Sequence, residues 1–493
     1  MDTSGACARP DNAPAPARAP VLWLTLLLVA AAALRIGLTL ATPEQRLLGD
    51  EAKYVVGAFE FDHEDAYTNT WPPGECALLA AVLMVGPFEH LRDELRRLRP
   101  SVGPADVMFV RHNLGPLADG QGYRFLTWAR LLQAALGTLI VLLVYLLARV
   151  GLEPKGALAA AAIYGFYPTA ITFCTYLRSE TLASALMMGA LCVLARGFGR
   201  PGLVRFGLAG VIWGLAVLTR SSTLLMSPLL LLPMLAMTDR PLSRRLAACG
   251  LFSLGIVLAV APWTLRNHQE YGRVLLVDFS VIPVLRNSHN AYLPPNHDFG
   301  MRGEKREFDT EPPLQVRPVT KLGDRVLQSR LELREAIQFN LDHPALAWRR
   351  LALKLREFWA PTNNIVLDMN KLKHGGDVSD GTRRLVILVA VASFMALTCA
   401  AIVGLFRVQD PRLLLLIVLL LLGTWAFHGL TQACSRYRMP LVPLMAIAAG
   451  AALTRGERRR PMRPISWLAA GVLIAALITS GVMLLSERNP LQL

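Results

Sequence analysis

Two carboxylates stand side by side just past the first long apolar stretch of this chain, in the segment LLGDEAKYVV (residues 47–56). Asp50 and Tyr54 are spaced i, i+4 and share one face of a short helix begun there, while Glu51 points about a quarter-turn away. A carboxylate so placed can cap a helix and complement its dipole, or it can accept a proton from a reacting hydroxyl. Basic side chains occupy the ends of other apolar stretches: Arg220 in LAVLTRSS, Arg266 in APWTLRNHQEYG, and Arg436 and Arg438 around Tyr437 in SRYRMPLVP. Taken singly, each reads as an interfacial anchor. Taken together, cations at this set of helix ends ask for an anion. Glu180 in YLRSETL, with Arg178 beside it, adds a further carboxylate, either to that site or to an ion pair with its neighbour.

The elements that must carry these groups follow from composition. The chain has 493 residues, 53% of them hydrophobic and 18% charged, with a mean hydropathy of +0.40, which describes a polytopic membrane protein rather than a soluble domain. The net charge of +15 is distributed as short Arg/Lys clusters between apolar runs, not as one stripe, so nucleic acid is not an expected partner. Walker A, dinucleotide-binding, HExxH and GxSxG motifs are all missing, as is an Asp-x-Asp pair. The nine histidines are scattered, with His289 and His297 the one pair close in sequence on the outer side, and no metal ligand is assigned. Seven cysteines form no CxxC pair. Cys192, Cys249 and Cys399 read as packing residues, and Cys76, Cys174 and Cys434 fall near one membrane face.

Apolar runs of membrane length recur near residues 21–41, 125–148, 156–176, 181–194, 206–218, 223–237, 246–265, 385–406, 413–430, 439–453 and 465–485. They predict an all-α bundle of about eleven transmembrane helices, with the first run a retained signal-anchor. A cytoplasmic N-terminus places Arg149/Lys155, Arg196/Arg200/Arg205, Arg240/Arg244/Arg245, Arg407/Arg412 and Arg455/Arg458/Arg459/Arg460/Arg463 all on the inner side. Two long segments, 42–124 and 266–384, then lie outside, too long for connections and too polar to span. In the second, His343–Pro361 mixes Arg349, Arg350, Lys354 and Arg356 with Leu346, Leu351, Leu355, Phe358 and Trp359, the pattern of a helix lying on anionic headgroups. Residues 1–20 read as a disordered cytoplasmic tail, 21–454 as the functional module, and 455–493 as a basic cytoplasmic loop followed by a last transmembrane helix. No repeat of fixed period is seen, which disfavours an inverted-repeat transporter.

The ordered series DEAKY, WPPG, ARLLQAALGTLIVLLVYLLAR, LRSETL, GLAVLTRSS, APWTLRN, HPALAWRRLALKLREFW and SRYRMPLVPL resembles the polyprenyl-phosphate-sugar-dependent glycosyltransferases of the GT-C fold. It is most similar to the bacterial branch related to protein O-mannosyltransferases, lipid A aminoarabinose transferases and core galacturonosyltransferases. The resemblance runs from about residue 21 to residue 453. It implies a GT-C-like bundle in the bacterial cytoplasmic (inner) membrane, with its site facing outward. Asp50 takes the position of the catalytic base, with Glu51 and Tyr54 completing the local motif. Arg220 and Arg266 match the residues that hold the lipid phosphate, with Arg436, Tyr437 and Arg438 behind them, and Glu180 matches a cavity-lining acid. The implied partners are a polyprenyl-phosphate sugar donor, membrane lipids and an acceptor glycan, lipid or protein; no resident cofactor is implied, and a divalent-metal requirement stays open, as does the oligomeric state. Two departures stand out. Trp71 precedes the Pro-Pro pair where the family often has Lys, and a basic segment at about 88–122 looks inserted, either as an acceptor-binding cover or as a solvated helix.

The chemistry so implied is proton removal from an acceptor hydroxyl by a carboxylate as it attacks the anomeric carbon, with guanidinium groups stabilising the departing phosphate and inversion at the sugar carbon. Two rivals remain. A transporter or flippase of a polyprenyl-linked or anionic substrate suits the outer arginines, but predicts charges deep in several helices, whereas here they lie mostly at the ends, with Arg35 an exception. A membrane-embedded ligase or assembly scaffold predicts no sugar transfer from a monosaccharide lipid.

Overall fold

The computed structural model describes residues 18–62, 71–98, 104–199, 202–290, 322–361, 379–453 and 464–488. Expectations for the tail before residue 18, for His297 and for the Arg455–Arg463 cluster lie outside these residues. The described chain is helical throughout and forms no strand among the described residues.

Helix α1 (Arg18–Ala41) is followed by four shorter helices, α2 (Glu51–Asp62), α3 (Pro73–Val85), α4 (Glu89–Leu98) and α5 (Pro104–Asn113). The centre of the bundle comprises α6 (Leu117–Ala148), α7 (Pro154–Gly165), α8 (Pro168–Phe173), α9 (Ser179–Gly199), α10 (Val204–Thr219), α11 (Ser222–Leu235) and α12 (Leu242–Tyr271). The second polar segment contributes α13 (Val281–Ser288), α14 (Leu322–Asp342) and α15 (Pro344–Phe358). The chain closes with α16 (Asp380–Leu405), α17 (Pro411–Leu430), a 3-10 helix (Ser435–Leu441), α18 (Val442–Leu453) and α19 (Pro464–Arg488). Six helices, α1, α6, α9, α12, α16 and α17, are long and apolar enough to cross a membrane, and α3, α10, α11 and part of α19 are shorter apolar helices. The protein is a polytopic, all-helical membrane protein; the count of eleven spans is not confirmed among the described residues.

The run at 156–176 shows why hydropathy overcounts. It is two helices, α7 and α8, with Tyr167 extended between them (φ −67, ψ 114) and Pro168 opening the second. Proline has no N–H to donate and pushes the preceding residue out of the helical region, so the break falls where the sequence places the ring. The carbonyls ending α7 then need new donors. Arg35, fully buried on α1, supplies one, donating from Nη1 to Gly165 O and Ala31 O, each at 3.0 Å. The placement of Arg35 within α1 is thus tied to the helix break.

Helices α10 and α12 approach closely because their facing positions are small. A side chain at Gly210 would collide with the Phe252 backbone, and one at Gly255 with that of Gly207. Such small-residue faces are the usual means of close helix contact in lipid. At the end of the bundle away from Asp50, arginines cap helix carbonyls. Arg240 donates to Gly197 O and Phe198 O at 3.1 Å, Arg245 to Leu235 O at 2.8 Å, and Arg407 to Ala452 O. Each places a cation at the negative end of a helix dipole.

Two apolar cores result. The larger fills the bundle, and the smaller unites Val55, Val56 and Phe59 of α2 with Leu79 and Leu83 of α3, Leu91 and Leu95 of α4, Val107 and Val110 of α5 and Phe125 of α6. The basic segment at 88–122 is therefore not merely solvated: Leu91, Leu95, Val107 and Val110 are buried in the same core as α2. The six described cysteines are all unbridged.

Candidate active site

The turn that presents Asp50 is built from backbone restraints. Gly49 adopts φ +60, a conformation that a side chain disfavours, and a Cβ there would lie 3.3 Å from Arg178 Nη2. Around it, Arg178 Nη2 donates to Leu48 O at 3.0 Å, Arg111 Nη2 to Gly49 O at 2.7 Å and Arg130 Nη2 to Gln45 O at 2.8 Å. Glu51 faces inward, fully buried. It accepts from the N–H of Leu48 at 2.6 Å and from that of Leu177 at 2.8 Å, tying the turn to the segment before α9. Burial raises its pKa, with Arg178 and Arg130 opposing. Glu51 thus touches backbone, not the cleft described below.

Asp50 sits at the head of α2 with its side chain about four-fifths covered. Its Oδ2 lies 2.7 Å from Arg436 Nη2 and its Oδ1 3.1 Å from Lys53 Nζ. Burial alone would raise its pKa; Arg436 first and Lys53 second outweigh that, and the carboxyl is held well below the ordinary range. From Arg436 the charges continue inward. Its Nε is 3.8 Å from Glu180 Oε1, and that same oxygen is 3.4 Å from Arg220 Nη1. The guanidinium carbons of Arg220 and Arg436 lie 5.0 and 5.3 Å from the ring centre of Tyr437, and His428 stacks on that ring at 4.5 Å. The Tyr54 hydroxyl is 3.1 Å from that of Ser179. Asp50, Arg436, Glu180 and Arg220 form one alternating chain of charge, drawn from the turn after α1, the 3-10 helix, α9 and the end of α10.

A cleft opens beside this chain, enclosing about 670 Å³ of free space, part of it open to solvent. Tyr54, Glu180, Arg220, Arg436 and Tyr437 all line it, and so do Trp71, Ser221, Ser222, Ser280, His428 and Thr431. Asp50 itself is not among the lining residues and meets the cleft through its ion pair with Arg436; of the other residues read from the sequence, two more lie apart from it. Arg266 rests against Trp263 and Tyr271, 5.1 and 5.8 Å from their ring centres, and donates to Asn267 Oδ1 at 3.3 Å. Arg438 is buried, donates to Phe358 O at 2.7 Å and covers the Phe394 ring at 3.8 Å. Trp71, at the position where Lys was expected, carries a cation after all: Lys53 Nζ lies 5.0 Å from its ring centre. The serines following Arg220 in TRSS were visible in the sequence but have no chemical signature of their own. His428 stood inside an apolar run and gave no signal. Among the described residues no group of three or more His, Cys, Asp or Glu side chains is arranged to hold a metal ion.

The bundle has the GT-C fold. It superposes on the archaeal oligosaccharyltransferase AglB from Archaeoglobus fulgidus, solved in complex with an inhibitory peptide and a dolichol-phosphate, with a TM-score of 0.50 at 13% identity. The match covers 96% of this chain and 56% of that one, so the chain spans little more than half of AglB. ArnT from Cupriavidus metallidurans, solved bound to undecaprenyl phosphate, matches with a TM-score of 0.47 at 15% identity, over 94% of this chain and 64% of that one. Residues 126–265, from α6 to near the end of α12, match the family described as dolichyl-phosphate-mannose-protein mannosyltransferase. No curated protein matches the chain at the sequence level.

Proposed function

We propose that this protein is an integral membrane glycosyltransferase that moves a sugar from a polyprenyl-phosphate donor to an acceptor hydroxyl at the outer membrane face. The observation that carries this reading is the charge chain Asp50–Arg436–Glu180–Arg220 along an open cleft at the end of the first span. AglB and ArnT, whose structures hold dolichol-phosphate and undecaprenyl phosphate, supply the donor class.

In this reading the lipid phosphate enters between Arg220 and Arg436. Asp50 takes the proton of the acceptor hydroxyl, whose oxygen forms the new bond to the anomeric carbon. The bond from that carbon to the phosphate oxygen breaks, and the electron pair leaves with polyprenyl phosphate, whose growing charge the two guanidiniums stabilise. Attack opposite the leaving phosphate inverts the sugar carbon. Asp50 paired with Arg436 is a weak base, and catalysis favours a base whose pKa lies nearer the working pH. The incoming phosphate resolves this by competing for Arg436, which returns basicity to Asp50 as the donor arrives. Glu51 and Arg178 serve as positioning residues for the Asp50 turn. The arginine-rich opposite end of the bundle faces the cytoplasm under the positive-inside trend, which puts the cleft outside; nucleotide sugars stay in the cytoplasm, so a lipid-borne donor suits that location.

The test is incubation of the purified protein with a panel of polyprenyl-phosphate sugars and measurement of free polyprenyl phosphate. Release that requires Asp50 is expected. Movement of the lipid across a bilayer with no release would replace the transferase reading by the flippase one.

A further inference from the structure

The cleft is lined by hydroxyls as well as charges: Ser221, Ser222 and Ser280. Behind them stands a carboxylate that the charge chain does not use. Asp278 is about nine-tenths buried and receives the Ser280 N–H at 3.0 Å and the Ser280 hydroxyl at 2.9 Å, both on Oδ1. The Ser221 hydroxyl is close enough to lower its proton affinity. Its Oδ2 accepts no hydrogen bond among the described residues.

The strap that holds Asp278 is fixed to the end of α12. Trp263 Nε1 donates to Val277 O at 2.9 Å, Asn267 Nδ2 to Leu275 O and Val277 O at 3.0 and 3.1 Å, and Thr264 Oγ1 to Leu276 O at 2.9 Å. The WTLRN stretch therefore anchors this strap, with Arg266 packed on its aromatic flank. A bond from a backbone N–H two residues on is an ordinary Asx turn, and a turn alone would be served by Asn. Keeping an acid here is costly, because burial lifts its pKa to about 6 in spite of the serine hydrogen bonds. The acid has a directional effect that Asn lacks. An ionised carboxylate is acceptor-only, so it commits the Ser280 proton to itself and leaves the lone pairs of that oxygen as acceptors.

We propose that Ser280, oriented by Asp278, and Ser221, which lines the same cleft, form its sugar-reading part and select a glycosyl group that donates hydroxyl hydrogen bonds to them. This rests on the donor reading above. The charge chain then holds the phosphate and the serines read the sugar, which divides affinity from selectivity within one cleft. Ser280 and Ser221 are contact residues, and Asp278 is a positioning residue.

The experiment measures equilibrium binding of bare polyprenyl phosphate and of a panel of polyprenyl-phosphate monosaccharides to full-length wild-type protein, Ser280→Ala and Asp278→Asn. The expected result is that the variants bind the bare lipid phosphate within about twofold of wild type, which also reports their folding, while affinity for the preferred glycosyl lipid falls by roughly tenfold or more, as for loss of a hydrogen bond to a charge-assisted network. Equal weakening of both ligands in Ser280→Ala, or wild-type discrimination among the sugars in both variants, overturns the assignment and leaves the donor reading standing. A wild-type protein that binds neither bare nor glycosylated lipid phosphate overturns both.

Discussion

Replacing Asp50 by Asn separates the two tasks that the cleft assigns to Arg436. In the free protein that guanidinium sits 2.7 Å from the carboxylate, and in the proposed reading donor binding draws it away. Exposed ion pairs contribute about 0–1 kcal/mol and breaking buried ones costs ~3–5 kcal/mol. Side chains that are 19% and 21% exposed fall between, so parting this pair costs about 1–2 kcal/mol. Asp50→Asn removes that cost, and the variant is expected to bind polyprenyl phosphate roughly 5- to 30-fold more tightly than wild type. Its turnover is expected to fall by about 10²- to 10⁴-fold, the loss of a general base. Titration of a radiolabelled polyprenyl phosphate into protein held in nanodiscs gives the first quantity, and a single-turnover assay the second. Unchanged or weaker lipid binding in the variant refutes the sharing of Arg436 between carboxylate and phosphate, whatever happens to the rate.

Other perturbations follow from the same geometry. In Arg436→Gln, Asp50 loses the main group holding its pKa down, with Lys53 left to oppose burial; the residual kcat/KM, which reports the donor-free protein, is expected to gain an acidic limb above pH ~4, where the wild-type kcat/KM stays flat. Glu51→Gln keeps one acceptor oxygen for two buried backbone donors and is expected to lower stability by about 1–3 kcal/mol, read as a downward shift in thermal unfolding, with donor affinity reduced through the displaced Asp50 turn. Lys354, buried against His289 Nε2 at 2.8 Å, has its pKa lowered to about 7 by burial and by Arg350. Between that value and its ordinary 10.5 the unfolded chain carries a proton that the folded chain rejects, so stability is expected to climb with pH across this window. The climb should vanish in Lys354→Met if this lysine is its source.

Much of the bundle was legible because lipid imposes a simple rule, that long apolar runs become helices; the described structure places helices on each of the runs at 21–41, 125–148, 181–194 and 246–265. The same rule misread 156–176 as one span, since a hydropathy average does not register what Pro168 does to Tyr167. The location of Asp50 beyond α1 was equally legible, as was the set of basic helix ends. Which of those ends faces the cleft was not. Arg266 and Arg436 look alike in sequence, each within three positions of an aromatic residue at the edge of an apolar run. The difference arises from local backbone: a 3-10 turn carries Arg436 toward Asp50, whereas Arg266 is kept on the flank of a strap that its neighbours Trp263 and Asn267 hold down. The Arg111 clamp and the Asp278 shelf depend on contacts between distant segments, and neither leaves a periodic or compositional trace.

The bond between Asp50 and Arg436 joins residues 386 positions apart. During synthesis the carboxylate therefore waits, without its main counter-charge, until the segment carrying Arg436, 386 residues further on, has been made. A product that stops short of that segment would hold the Asp50 carboxylate with no Arg436 guanidinium opposite it. The pair thus forms in a single event, when the ribosome has delivered the 3-10 turn, and not by gradual assembly.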